Sequence, residues 1–202
     1  MKQPLVCLLL LVTAGCAAPA PPPPPAASDE VKAEGVLRKA NQLVAGGDLD
    51  AAIICFSEAI KLDPTLSLAY VNRATCYIFH GKFDEAMADC TRVIELDPTS
   101  AVAHSYRGGI YDELGEHEKA IADYSKAIEL DPEQRESYSK RAETYEIQGE
   151  FENAIADHSR VIELAPTDAW AYYDRAEAYD LKGDKEKAEA DFARARELGL
   201  ED

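Results

Sequence analysis

The string IELDP at residues 94–98 returns as IELDP at 128–132, with KLDP at 61–64 and IELAP at 162–166 on the same 34-residue spacing. A fixed period of this length marks a chain built from stacked supersecondary units. Counting from Ala33, five units of 34 residues fill positions 33–202 without insertion: 33–66, 67–100, 101–134, 135–168 and 169–202. The eighth position of the unit is Ala40, Ala74, Gly108, Ala142 and Ala176, and the twentieth is alanine in every unit, from Ala52 to Ala188. Small residues at two fixed places let two helix axes approach closely. The fifteenth position is always glycine, as at Gly81, where a first helix A ends in a left-handed residue before a helix B. Proline at the thirty-second position of units one to four ends helix B, because it lacks the amide that a continuing helix needs.

Tyr77, Tyr111, Tyr145 and Tyr179 hold the eleventh position, where the first unit has Leu43. Together with the small residues and the proline, they make residues 33–202 resemble the tetratricopeptide repeat. The resemblance implies an all-α fold, a right-handed superhelical solenoid of five antiparallel helix pairs, each burying its face on its neighbours. The charged final helix, with Lys187, Glu189, Arg194, Arg196 and Glu197, then serves as the polar cap.

A second regularity runs through units two to five. The seventh position is Arg73, Arg107, Arg141 and Arg175, and the twenty-third is Asp89, Asp123, Asp157 and Asp191. The first unit has Lys39 and Cys55 instead. An arginine on helix A that occurs only with an aspartate on helix B predicts a structural ladder of charge-assisted pairs. Pairing within a unit and pairing between units both satisfy the pattern.

The repeat resemblance also implies that helices A line a concave face that takes a peptide or a helix of a partner protein. Carried onto this chain, the inward positions of units one to three are Leu37, Asn41, Leu68, Val71, Asn72, Phe79, Val102 and Tyr106, a mainly apolar set. Units four and five contribute Glu136, Lys140, Glu143, Glu146, Trp170, Tyr173, Asp174, Glu177 and Asp180, mainly acidic with an aromatic pair. Exposed apolar side chains on such a face point to contact with a protein. One subgroup of the family clamps a C-terminal carboxylate with two asparagines and cationic side chains. Asn41 and Asn72 match the asparagines, but Leu37, Val102 and Tyr106 stand in the cationic places, so that clamp is not expected.

Ahead of the repeats, Lys2, the apolar run Leu5 to Val12 and the small residues Ala14 and Gly15 have the order of a secretory signal. The run is far shorter than the roughly 20 apolar residues that cross a bilayer. Thr13-Ala14-Gly15-Cys16 resembles the lipobox of bacterial lipoproteins, with Thr13 in place of the usual leucine. The resemblance implies cleavage after residue 15 and palmitoyl-type acylation of Cys16, whose sulfur is a suitable nucleophile. Ala17 implies sorting to the outer membrane, with the body facing the periplasm. Residues 16–32, with five consecutive prolines from Pro21, read as a polyproline II spacer able to hold the body on the order of 40 Å from the bilayer.

With 38 acidic against 21 basic residues the net charge is −17, which argues against a phosphate backbone as partner; spread along the body, it reads as a solvated surface or as an attraction for a basic protein or peptide. The histidines, His80, His104, His117 and His158, fall at unrelated positions of the repeat and do not converge with cysteines or carboxylates at metal spacing. No glycine-rich phosphate loop or nucleophile motif occurs. The expectation is a non-enzymatic scaffold without cofactor, metal or small-molecule substrate, and a self-assembling structural envelope protein is the alternative. Cys55, Cys76 and Cys90 are expected as buried thiols, with a Cys76–Cys90 bridge the other possibility in an oxidising compartment.

Overall fold

The computed structural model describes residues 26–200, which form ten α-helices. In chain order these are α1 (Ala27–Ala45), α2 (Leu49–Leu62), α3 (Ser67–Phe79), α4 (Phe83–Leu96) and α5 (Ala101–Glu113), followed by α6 (His117–Leu130), α7 (Arg135–Ile147), α8 (Phe151–Leu164), α9 (Ala169–Lys182) and α10 (Lys185–Glu197). Odd-numbered helices are helix A of each unit and even-numbered ones helix B. Each helix packs on its neighbours in the chain, and α1, α3, α5 and α7 also touch one another in series. The chain is therefore the all-α superhelical solenoid that the period predicts, with its core threaded between successive helices.

The two turn types explain the recurring residues. At the A–B turn Gly81 has φ 67, and the amide of Lys82 donates to the Tyr77 carbonyl at 2.9 Å. The same closure recurs from Glu116 to Tyr111, Glu150 to Tyr145 and Asp184 to Tyr179. It satisfies a helix-end carbonyl that would otherwise lack a donor. At the B–A turn the aspartate of IELDP leaves the helix in an extended conformation, as a residue before proline must. Its carboxylate then accepts from the residue two places on: Asp97 Oδ1 takes the Thr99 amide at 2.9 Å and the Thr99 hydroxyl at 2.6 Å. Those bonds hold the Asp97 carboxyl below its usual range. Asp63 makes the same pair of bonds with Thr65.

Helix α1 begins earlier than the repeat grid. It starts at Ala27, six residues before Ala33, within the stretch read as linker. Asp29 and Glu30 lie in its first turn, where they complement the helix dipole, and Lys32 Nζ bonds Asp29 at 2.9 Å. The signal segment, Cys16 and the prolines lie outside the described residues. No described helix is long and apolar enough to cross a membrane.

The arginine–aspartate ladder forms within each unit. Arg73 Nε and Nη2 donate to the two oxygens of Asp89 at 2.8 and 2.7 Å, and Arg107–Asp123, Arg141–Asp157 and Arg175–Asp191 repeat this fork at 2.6–2.8 Å. The remaining arm reaches the preceding unit: Nη1 of Arg73, Arg141 and Arg175 donates to Ser57, Ser125 and Ser159. Tyrosines flank the guanidinium, Arg73 lying 5.7 Å from the ring centres of both Tyr70 and Tyr77. In unit three His104 replaces the first of these tyrosines, and its Nδ1 lies 3.1 Å from Asp123. Each hydrogen-bonded aspartate holds its arginine protonated beyond its ordinary range.

Cys55, Cys76 and Cys90 are free and buried. Burial pushes the Cys90 thiol up to about 12, so it behaves as a small apolar filler.

Candidate functional site

The helix-A positions expected to face inward carry most of the large apolar side chains that remain exposed. Leu68 and Phe79 on α3, Val102 on α5, Ile147 on α7, and Trp170 and Leu181 on α9 are all exposed. Phe79 is the extreme case, at 75% exposure. Helix ridges on a solenoid bury what they need against their neighbours, so a row of uncovered apolar residues along one face is a candidate contact surface.

Two of the expected residues do not belong to it. Leu37 is buried, packed in a core cluster with Ala40, Phe56 and Ala69, and is corrected from groove to core. Val71 is half-covered against Tyr70 and Val93. Both stand at the fifth position of the repeat, at the edge between core and groove, where a side chain long enough to reach the next helix A is drawn inward. Asn41 and Asn72 bond each other, Asn72 Nδ2 to Asn41 Oδ1 at 2.9 Å, which links the first two units and occupies the amides that a carboxylate clamp would use.

A concavity of about 690 Å³ lies between α3, α5 and α7. Ile78, Phe79, Val102, Tyr106 and Ile147 form its apolar walls. The rest of its lining is mostly polar and includes the expected Glu136, Lys140 and Glu143; Gly109, Asp112 and Tyr124 also line it, and none of these three stands among the residues expected from the sequence. The signal was one departure from the grid, Gly108 in place of alanine at the eighth position, followed directly by a second glycine at Gly109. Tyr124 is almost wholly buried, and a Cβ on Gly108 would meet its ring at 2.9 Å, so the glycine makes room for the tyrosine. The phenol then reaches the groove side, donating to Asp112 Oδ2 at 3.0 Å. Thr144 Oγ1 donates to the same oxygen at 2.7 Å, and His117 Nδ1 lies 3.1 Å from Asp112 Oδ1. Burial beside Asp112 pushes the phenol pKa up, so the hydroxyl keeps its proton and the floor is a fixed polar network.

Toward the C-terminal units the wall chemistry changes. A second concavity of about 460 Å³ between α7 and α9 is lined by Glu136, Trp170 and Asp174, with Arg135 and Lys140 at its rim. Both cations are already engaged, Arg135 with Asp168 at 3.2 Å and Lys140 with Glu143 at 2.8 Å. Trp170 stacks edge-on against Tyr173, ring centres 5.7 Å apart, and Tyr173 in turn against Phe192. Burial pushes Asp174 up to about 6; His158 opposes this, and Glu143, Glu177 and Glu146 add to it. His158, almost fully buried on α8, holds Glu146 through Nε2 at 3.0 Å, and its Nδ1 makes no hydrogen bond.

Among the described residues no three His, Cys, Asp or Glu side chains are placed to hold a metal ion. The arrangement can grip an extended or helical segment by apolar contact and charge.

Family models described as "Tetratricopeptide repeat" match residues 34–66, 67–100, 101–134 and 171–198, and one described as "TPR repeat" matches 145–183. Among solved structures the chain is similar to MamA, at 27% identity and a TM-score of 0.71, covering 79% of this chain and 93% of that one. It is similar to a thermophilic TPR protein of Thermus thermophilus at 24% identity, TM-score 0.68, over 84% and 93% of the two chains. A third likeness is to YrrB, described as a TPR protein with an unusual peptide-binding site, at 21% identity and TM-score 0.65 over 81% and 84%. At these last two identities the likeness is one of fold.

Proposed function

The chain is a tetratricopeptide repeat protein, and from that premise we propose that it is a non-enzymatic scaffold or adaptor of the bacterial envelope. Its concave face binds a peptide or helix of an envelope partner, and acyl chains on Cys16 hold it to the outer membrane with the repeats in the periplasm. The observation that carries the binding role is the row of exposed apolar side chains from Leu68 to Trp170 along the helix-A face. Its acidic continuation on α7 and α9 favours a basic partner. The anchor rests on the Thr13-Ala14-Gly15-Cys16 motif after an apolar leader. More than one acyl chain is what holds a protein stably on a bilayer.

Two measurements test the two halves separately. A palmitate analogue fed to the expressing cells should label the protein and be lost in Cys16→Ser; labelling that survives this change removes the anchor. The full chain, cross-linked in envelopes, should capture a defined set of proteins that Tyr106→Ala and Trp170→Ala no longer retain. Equal capture by both variants removes the groove from the function.

A further inference from the structure

The ninth position of the repeat reads Asn41, Thr75, Gly109, Glu143 and Glu177 from unit one to unit five. Only α5 has no side chain there. A Cβ on Gly109 would have Tyr124 Oη as its neighbour at 3.6 Å, so the missing side chain opens the groove down to a buried, hydrogen-bonded phenol. Phe79 and Ile147, 75% and 67% exposed, stand on either side of this notch. A cavity of about 690 Å³ with such walls has room for one bulky side chain and part of the backbone that carries it. The carboxylates Asp174 and Glu177 lie further along the same face on α9, and among the described residues neither makes an ion pair.

We propose that the partner segment carries a bulky apolar side chain that seats over Gly109 and, near it in the segment, a lysine or arginine that pairs with Asp174 and Glu177 beside Trp170. The proposal rests on the groove being the binding face. Charge complementarity selects the second element: the neighbouring cations Arg135 and Lys140 are already engaged, so a new anion would meet only like charge. Asp174 is half-buried among carboxylates, which a guest cation would stabilise. The exposed Trp170 ring, one helical turn before Asp174, offers the same cation a π face. The first element follows from the notch itself, which Phe79, Tyr106 and Ile147 flank and whose polar floor is internally satisfied, with the charged Glu113, Glu136, Lys140 and Glu143 also along the cavity. Asp112 already accepts from Tyr124 and Thr144 and so leaves an incoming polar side chain little to gain.

The test is a selection of displayed random short peptides on the full chain in detergent, followed by anisotropy titration of a synthetic copy of an enriched sequence at low and high salt. Enriched sequences should pair Leu, Ile, Phe or Trp with a nearby Lys or Arg. Gly109→Leu fills the notch and Ile147→Glu alters its exposed wall; each should weaken binding about tenfold or more with unchanged helical circular dichroism. The double change Asp174→Asn with Glu177→Gln should weaken binding and flatten its salt dependence. Binding that survives both notch variants yet falls on Leu68→Glu overturns the notch and leaves the groove standing. Enriched sequences that are acidic or uncharged overturn the cationic element. Failure to enrich any peptide, or binding indifferent to every one of these changes, overturns the groove reading itself.

Discussion

The first repeat and the four that follow close the same helix pair with different chemistry. In units two to five an arginine of helix A forks onto an aspartate of helix B, and in three of them its free arm reaches a serine of the unit before. In the first unit Lys39 and Cys55 take those places, and the gap is filled by Phe56, Leu37 and Cys55, with Val36, Leu43, Leu49, Ile53 and Ile60 around them. Among the described residues no helix B precedes α1, so an arginine at this position would find no serine of an earlier unit there. A repeat with a helix B before it can hold a buried cation, because its own aspartate and a serine of the preceding unit satisfy it, as in the last unit at Arg175, whereas the first unit is closed by apolar packing.

The largest expected effect probes the apolar end. Phe56 is fully buried, and Phe56→Ala should cost about 3–5 kcal/mol. Stability in a solenoid is close to a sum over units and their interfaces, so the loss should concentrate in α1 and α2. Hydrogen exchange should show these two helices opening ahead of α5–α10; uniform loss of protection along the chain would mean that the first unit is not the separate block this comparison makes it.

Arg141→Ala comes next, at about 3 kcal/mol, because it strands Asp157 with its side chain 8% exposed. Here the loss sits mid-stack, so denaturant unfolding should shift as a whole or split between units three and four. Replacing Arg141 and Asp157 together by leucine should recover much of it, since no buried charge is left alone. A change in Arg141→Ala no greater than that of an exposed pair would remove the ladder from the stability of the fold.

Unit three is the intermediate case, since its twenty-fourth position holds Tyr124 where the first unit has Phe56. Its adjacent glycines should respond with opposite sign. Gly108→Ala pushes a Cβ to 2.9 Å from the Tyr124 ring and should cost about 1–3 kcal/mol. Gly109→Ala meets nothing closer than 3.6 Å and, in the middle of α5, should gain about 0.5–1 kcal/mol from helix propensity. Melting temperatures of the two variants measured side by side check this; a shift in the same direction would mean that Tyr124 is not pinned where the structure has it.

These cases mark what the chain reveals before it is folded. Helix pairs, turns and the ladder partners follow from the 34-residue period, because each recurring residue answers a local backbone demand that neighbours do not alter. Pairing within the unit required the structure, since a sixteen-residue separation and a step to the next unit are equally periodic. The groove was legible only in outline. Position alone says which way a side chain leaves its helix, and Phe79, Val102 and Trp170 are exposed as it implies. It does not say how far the neighbouring helix will draw that side chain inward, and so Leu37 was misplaced. The notch at Gly109 is a missing side chain above a tyrosine from another helix, a juxtaposition between elements that no inward-position rule contains.

The smallest expected effect separates the two ends by charge. Burial, with other carboxylates nearby, pushes folded Asp174 up to about 6 from the 3.8 of an ordinary aspartate. Between those values the folded state holds the extra proton, so stability falls as pH rises through the window and the destabilisation is complete above it. Asp174→Asn should therefore melt slightly above wild type near neutral pH, with the difference closing as pH falls toward 3.8. Phe56 and its neighbours carry no group of this kind, so conservative substitutions there should leave the pH profile unchanged. A carboxylate pushed up in a groove is a candidate for contact with a cation. Asp174→Asn should thus stabilise the fold while weakening a bound basic peptide, and a variant that gains stability without losing affinity would leave the acidic end of the groove as surface only.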